Sequence, residues 1–560
     1  MNRLIQLALF AALMLAVYSC TSSEKSIKQT TSSMEDAINS IDVSEYTENI
    51  KTLASDEFEG RAPSSPGEDK TMDFLTEKFT KLGLQPGNGD SFYQNVSLVK
   101  VTPFPAKTMN ITGGSAPLDL SVGKDFVALT RQVQDEVTIE DSELIFAGFG
   151  VVAPEYGWND YEGLDVKGKT VVVMVNDPGF ATKDSALFNG RTMTYYGRWT
   201  YKYEEAARQG ASGVIVIHET APAGYPWQVV RGGWTGPQFY MEAADKNMSR
   251  CPLEGWVSAV AIRKMFEAAG MDYAALTKEA TQKGFRARPM GLKYSMTIRN
   301  EIEKSTSRNF LALYPGTDLK DEIIIYTAHW DHFGINPSLK GDQIFNGAAD
   351  NATGTAALIE LAEGFTKLPV KPRRSILFLA VTAEEQGLIG SAYYAANPIY
   401  PITKTVAALN MDALNIFGKM KDITIVGEGN SELDDYVYKI AERQGRYIRP
   451  DPDPEKGIFY RSDHFSFAKQ GIPALYTKMG IDHVVHGTEW TTEKKNNWTS
   501  NLYHKPADEY TEEWDLAGAV DDIRLMFQVG QMISMESRFP NWKEGTEFKA
   551  KRDADMLGTK

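Results

Sequence analysis

Apolar residues recur along this chain with two different periods. Between Glu68 and Leu82 they fall at Met72, Leu75, Phe79 and Leu82, steps of three and four that draw one stripe along a helix. Gly83 and Pro86 stop that helix. Helical periodicity begins earlier, near Val43, and returns from Tyr201 to Gln209 and from Thr355 to Leu368. Elsewhere the apolar residues are contiguous and short, as strands require. The clearest runs are Ile323 to Tyr326, Ser375 to Val381, Val406 to Leu409 and Pro473 to Leu475. From about 295 to 535 strand and helix alternate, which predicts an α/β domain with its sheet between helices. From about 105 to 293 shorter β runs dominate, among them Glu143–Ala147, Thr170–Val175 and Gly213–Ile217. That stretch reads as a β-rich module inserted into the first. The expected domains are 44–105 with 294–540, an insert at 106–293, and a charged, frayed tail at 541–560.

A chain of 560 residues is too long for one core, in keeping with that division. The net charge of −15 argues against nucleic acid or an anionic membrane surface as partner. At the N-terminus Arg3 precedes an apolar run from Leu4 to Tyr18, then Ser19-Cys20 and a polar stretch. This is the pattern of a secretory signal over 1–20, and Cys20 at its end resembles the modified cysteine of a bacterial lipoprotein. The expectation is an exported protein of the bacterial cell envelope, anchored by lipid on Cys20 and facing the periplasm or the exterior. Plain cleavage to a soluble exported protein is the other reading. Residues 21–43 read as a flexible tether. Cys251 is the only other cysteine, so no disulfide is expected, and its surroundings mark it as structural.

The ionisable residues sit at strand ends. The run into Ala328 ends in His329-Trp330-Asp331; the next ends in Glu384-Glu385, the next in Asn410-Met411-Asp412, and the last in Tyr476. In an open α/β sheet, ligands gather at the carboxyl ends of the strands, so parallel neighbours would bring these clusters to one edge. Gly347-Ala-Ala-Asp350-Asn-Ala-Thr-Gly354 adds a carboxylate in a tight loop, and Tyr503-His504 with Asp508 adds a second histidine. Imidazoles and carboxylates without thiolate suit Zn²⁺, with Mn²⁺ or Co²⁺ as possible substitutes. Adjacent carboxylates on a loop point apart, so one of Glu384 and Glu385 would bind metal while the other serves as a base for water.

In that order, these motifs resemble those of the secreted dizinc aminopeptidases of clan MH, a group that includes glutamate carboxypeptidase II and the non-catalytic transferrin receptor. The resemblance covers roughly 44–100 and 295–535. It implies a zinc-aminopeptidase-like (phosphorylase/hydrolase) α/β fold, a central mixed sheet flanked by helices, and two Zn²⁺. It implies His329, Glu385, Asp412 and His504 as terminal ligands, with Asp350 bridging. His329 and Asp412 would share one ion, Glu385 and His504 the other. It further implies Glu384 as general base, Asp331 as the residue orienting His329, and Asp508 in support of the site. Tyr476 would stabilise the oxyanion. The insert resembles a protease-associated domain by position. The substrate implied is a peptide, cut from its N-terminus. A carboxypeptidase or dipeptidase would need a cationic pocket, to which Arg461 could belong. Glutaminyl cyclase and a non-catalytic binding protein are the remaining alternatives. Side-chain preference and oligomeric state leave no mark in the sequence.

The other polar and aromatic candidates read mainly as structure. His332 and His464 sit beside motifs, and His483 and His486 lie in a loop between Tyr476 and His504. Trp199, Trp227 and Trp234 read as core of the insert, with an aromatic substrate wall as the other possibility.

Overall fold

A computed structural model describes residues 34–558. The leader, Cys20 and most of the expected tether lie outside those residues. The last part of that stretch is not a tether: residues 34–39 are helical, and Ala37 and Ile41 are fully buried in the main core. Helix α1 (Val43–Leu53) starts at Asp42, whose carboxylate accepts the N–H groups of Ser44 and Glu45. Helix α2 (Pro66–Lys81) buries Met72, Leu75 and Phe79 completely, the stripe read from the sequence.

Strand β1 (Tyr93–Pro105) leads into the insert. There the end of β2 (Glu136–Phe146) is followed across the sheet by β3 (Thr170–Met174), β4 (Gly213–His218) and β5 (Leu253–Ser258), all parallel. Between β3 and β4 in the chain lies helix α3 (Trp199–Arg208), and apolar clusters cover both faces of this sheet. The insert is therefore an α/β layer as much as a β-rich one. Trp199 packs on Trp234 and Trp256, with ring centroids 5.8 and 6.3 Å apart, and Trp227 packs on His218 at 5.5 Å. These tryptophans are used in packing within the insert.

The 27-residue β6 (Arg288–Tyr314) runs from the insert into the second sheet. It pairs with β2 over its first half and with β1 from Ile298↔Pro105 to Phe310↔Tyr93. Next come β7 (Leu319–His329), α4 (Thr353–Thr366), β8 (Arg374–Val381), β9 (Thr405–Asn410), β10 (Asp422–Ile425) and β11 (Ala474–Met479). Helices α5 (Gly487–Asn501) and α6 (Ala517–Met535) follow. The sheet order is β1-β6-β8-β7-β9-β11-β10. In its centre β8, β7, β9 and β11 are parallel, with His329 level with Val381, Thr327 with Asn410, and Asn410 with Tyr476. That register brings the four strand ends into one row, as expected of a mixed sheet between helices. No helix among the described residues is long and apolar enough to cross a membrane.

The C-terminal stretch departs from the frayed tail expected at 541–560. Trp542 is buried and donates its indole N–H to the Gly471 carbonyl at 2.9 Å. Residues Lys549–Leu557 form a helix whose buried Arg552 donates to the carbonyls of Ile402 and Thr405 at 3.2 and 2.8 Å. Its charge pattern conceals two anchors.

Glu360 on α4 offers a test of the core. It is fully buried; Asn49 of α1 donates to Oε1 at 3.3 Å, and Oε2 has no partner. Burial, aided by Glu45 and Glu363, pushes its carboxyl up to about 8. In the unfolded chain the group ionises near pH ~4.3. Its contribution to stability is full below that pH and is lost as pH rises through about 8. Glu360→Gln is expected to raise Tm by an amount that grows between about pH 5 and pH 8, at up to ~1.4 kcal/mol per pH unit. Melting curves across that range check it; a gain independent of pH would refute the assignment.

Candidate metal centre

The site is built from the row of strand ends upward. Strand β7 ends at His329, which is buried, and its Nδ1 donates to the main-chain carbonyl of Asp331 at 3.2 Å. The imidazole's other nitrogen, Nε2, lies 3.2 Å from Asp350 Oδ1 and 3.4 Å from Asp412 Oδ1. Asp412 follows the end of β9, and its Oδ2 accepts the hydroxyl of Ser462 at 2.6 Å. These three residues form the first nest of ligand atoms.

Asp350 faces a second nest with its other oxygen. Its Oδ2 lies 3.2 Å from His504 Nε2, which is also 3.2 Å from Glu385 Oε2. His504 has a positive φ of 56° and is held between Tyr503, stacked at 3.7 Å, and Phe333 at 4.8 Å. His332 joins Asp350 and Glu385 in this second cluster. Glu384 stands over the first nest, its Oε2 4.0 Å from His329 Nε2. The sequence candidates His329, Asp350, Glu384, Glu385, Asp412 and His504 thus meet at one place.

Two supporting residues, Asp331 and Tyr476, act differently from expectation, and Asp508 supports the site as expected, through a loop. The Asp331 carboxylate stays 3.8 Å from His329 Nδ1 and instead accepts the N–H of Glu384 at 3.0 Å. It is the Asp331 carbonyl that orients the imidazole; the carboxylate fixes the turn carrying the glutamate pair. Asp508 does not reach His504. Its oxygens accept the N–H groups of Ala349 and Asp350 at 3.2 and 3.1 Å, so it braces the loop of the shared carboxylate. The hydroxyl of Tyr476 is engaged with the Asp412 carbonyl at 3.2 Å and its ring packs on buried His464 at 5.0 Å. Tyr503, beside His504, is the partly exposed phenol at the site. The sequence reading passed over it, although its adjacency to a ligand histidine was the available signal. Ser462 and Arg61 were missed too. Arg61 is fully buried and donates to the carbonyls of Leu53, Trp330, Asn346 and Gly347 at 2.6–2.9 Å, tying α1 to both ligand loops. His483 lies in a loop outside the nests, where its Nδ1 accepts the N–H groups of Val485 and His486.

The electrostatics fit cations. Burial, with Asp412, Asp463 and Asp350 nearby, raises the Glu384 carboxyl well above its ordinary range, and burial with Asp350 and Glu384 does the same to Glu385. The buried Arg61 guanidinium gives its hydrogen bonds to main-chain carbonyls rather than to these carboxylates. A tetrahedral Zn²⁺ with bonds of about 2.0–2.2 Å sets neighbouring nitrogen and oxygen ligands roughly 3.3–3.6 Å apart. The spacings of 3.2 and 3.4 Å in the first nest and 3.2 Å in the second lie close to that range. The donor set is imidazole and carboxylate throughout, as zinc accepts.

Residues 309–528, which contain both nests, match the model of peptidase family M28. This stretch is an M28 peptidase domain. The mouse aminopeptidase NAALADL1 is 30% identical over 159 residues, 28% of this chain and 19% of the mouse protein. A probable glutamate carboxypeptidase of Arthroderma benhamiae is 31% identical over 213 residues, 34% of this chain and 26% of that protein. The matches thus span 19% and 26% of these curated relatives. Among solved structures, the aminopeptidase from Aneurinibacillus sp. strain AM-1 aligns over 90% of this chain and 97% of its own at 20% identity, with a TM-score of 0.46. The M28 domain includes every strand of the parallel row and both histidines that face Asp350.

Proposed function

We propose that this protein is an exported, lipid-anchored metallo-exopeptidase with two Zn²⁺, an aminopeptidase that uses Glu384 as general base. The observation that carries this reading is Asp350, whose two oxygens are divided between His329 and His504. His329, Asp350 and Asp412 would hold one ion, and Asp350, Glu385 and His504 the other. Zinc there would supply Lewis acidity to the scissile carbonyl and ease ionisation of the attacking water. Glu384 takes the proton from that water and passes it to the leaving amine. Tyr503 offers a phenol donor for the developing oxyanion. Export and anchoring at Cys20 rest on the leader pattern.

One observation favours a second reading, a carboxypeptidase or dipeptidase on the same centre. Tyr195 and Tyr460 pack 5.9 Å apart where the insert meets the M28 domain, and Arg198 and Arg461 follow them closely in the chain. Arg198 is nine-tenths buried, its Nε has no partner, and among the described residues neither arginine forms an ion pair with a carboxylate. Their mutual repulsion adds to burial in lowering the Arg198 guanidinium to about 10. A free carboxylate on the substrate would relieve that repulsion.

Hydrolysis of one peptide series, with N-termini free or acetylated and C-termini free or amidated, decides between them. The aminopeptidase reading expects acetylation to abolish cleavage and amidation to leave it within a few-fold. Release of C-terminal residues from acetylated peptides, lost on amidation and in Arg461→Met, would transfer the centre to the second reading.

A further inference from the structure

The second nest contains an imidazole that the proposed ligand set does not use. His332 is fully buried, and neither ring nitrogen makes a hydrogen bond. Its Nδ1 lies 2.7 Å from Oε1 of Glu385, an oxygen that is itself buried and without a hydrogen bond. The other oxygen of the same carboxylate, Oε2, is the one that faces His504. Glu385 therefore turns one oxygen to the nest and the other to His332. The fold keeps room for this ring. A Cβ on Gly347 would stand 2.5 Å from it, and Gly347 has a φ of +55°. Phe333 packs edge-on against His332 and against His504, each at 4.8 Å, so one aromatic side chain steadies both imidazoles.

We infer that His332 is a positioning residue for the second ion, its Nδ1 set against Glu385 Oε1 at 2.7 Å so that Glu385 would turn Oε2 to the metal. A carboxylate held by one arm would offer an ion its other oxygen. Partners of this kind typically change metal affinity by about 10–100-fold. The inference rests on the two-ion reading but not on which peptides are cut.

The test is made on full-length protein without substrate. Zn²⁺ affinities are measured by chelator competition, and the absorption bands of the Co²⁺-loaded protein are recorded. His332→Ala is expected to weaken one of two ions by about 10–100-fold. His332→Asn, which places an amide N–H where Nδ1 stood, is expected to restore most of that affinity. The ion affected should be the one that Glu385→Ala removes. Wild-type affinities for both ions in His332→Ala would overturn the inference. So would failure of the asparagine to rescue together with altered Co²⁺ bands, since His332 would then be a ligand itself. A wild-type protein that holds one ion would overturn the two-ion reading instead. The inference would then fall only if Glu385→Ala left that ion bound.

Discussion

Asp350→Ala is expected to yield a folded protein that retains neither zinc ion after dialysis and hydrolyses peptides at least ~10⁴-fold more slowly than wild type. Each nest takes one oxygen from this residue, at 3.2 Å from His329 and 3.2 Å from His504. Removing it leaves two protein ligands for each ion, His329 with Asp412 and His504 with Glu385. It would also remove the negative charge between the two proposed cations. Loss of Lewis acid stabilisation amounts to several kcal/mol of barrier, and each ~1.4 kcal/mol is tenfold in rate. The fold should survive, because the main-chain N–H groups of Ala349 and of residue 350 remain available to Asp508. Zinc content by elemental analysis and circular dichroism on one preparation check both halves. Two equivalents of zinc in the folded variant would refute the shared role. His504→Ala, which touches one nest, is expected to keep one ion and so separates the two sites.

The sheet and the ligands were legible for the same reason. A short apolar run that stops at a polar cluster marks a parallel strand and its carboxyl end, and four such runs lie side by side, with His329 level with Val381, Thr327 with Asn410 and Asn410 with Tyr476. What the sequence did not carry was the direction of side chains on the turns that follow. Asp331 stands two residues after His329, and Asp508 four after His504, so each invited pairing with its histidine. Backbone angles decide otherwise and send both carboxylates to N–H groups of neighbouring loops. Nearness in sequence is a poor guide where the chain has left its strand. The same limit hid His332, Ser462 and Arg61, whose partners lie 53, 50 and up to 286 residues away. The long β6 was obscured for a different reason. Its middle, from Asn300 to Thr306, is polar and largely exposed, and lacks the apolar run that marks a buried strand.

Glu384→Gln separates chemistry from assembly. Its main-chain N–H bond to Asp331 is indifferent to the side chain, and Glu385, next to it, belongs to the second nest. An amide of the same shape should therefore leave both ions and the fold in place. What it removes is the ability to accept a proton from water and return it to the leaving amine. General acid–base catalysis by a positioned group contributes about 10²–10⁴-fold, so kcat should fall by that factor while KM stays within a few-fold. With no cation bound, burial and the charges of Asp412, Asp463 and Asp350 raise the proton affinity of the Glu384 carboxyl. Steady-state kinetics on zinc-loaded variant and wild type, with metal content measured on the same samples, check the expectation. A kcat within tenfold of wild type at full zinc occupancy would place the base elsewhere. Asp463 is then the next carboxylate to substitute, since it is buried beside Glu384 with both oxygens free of hydrogen bonds.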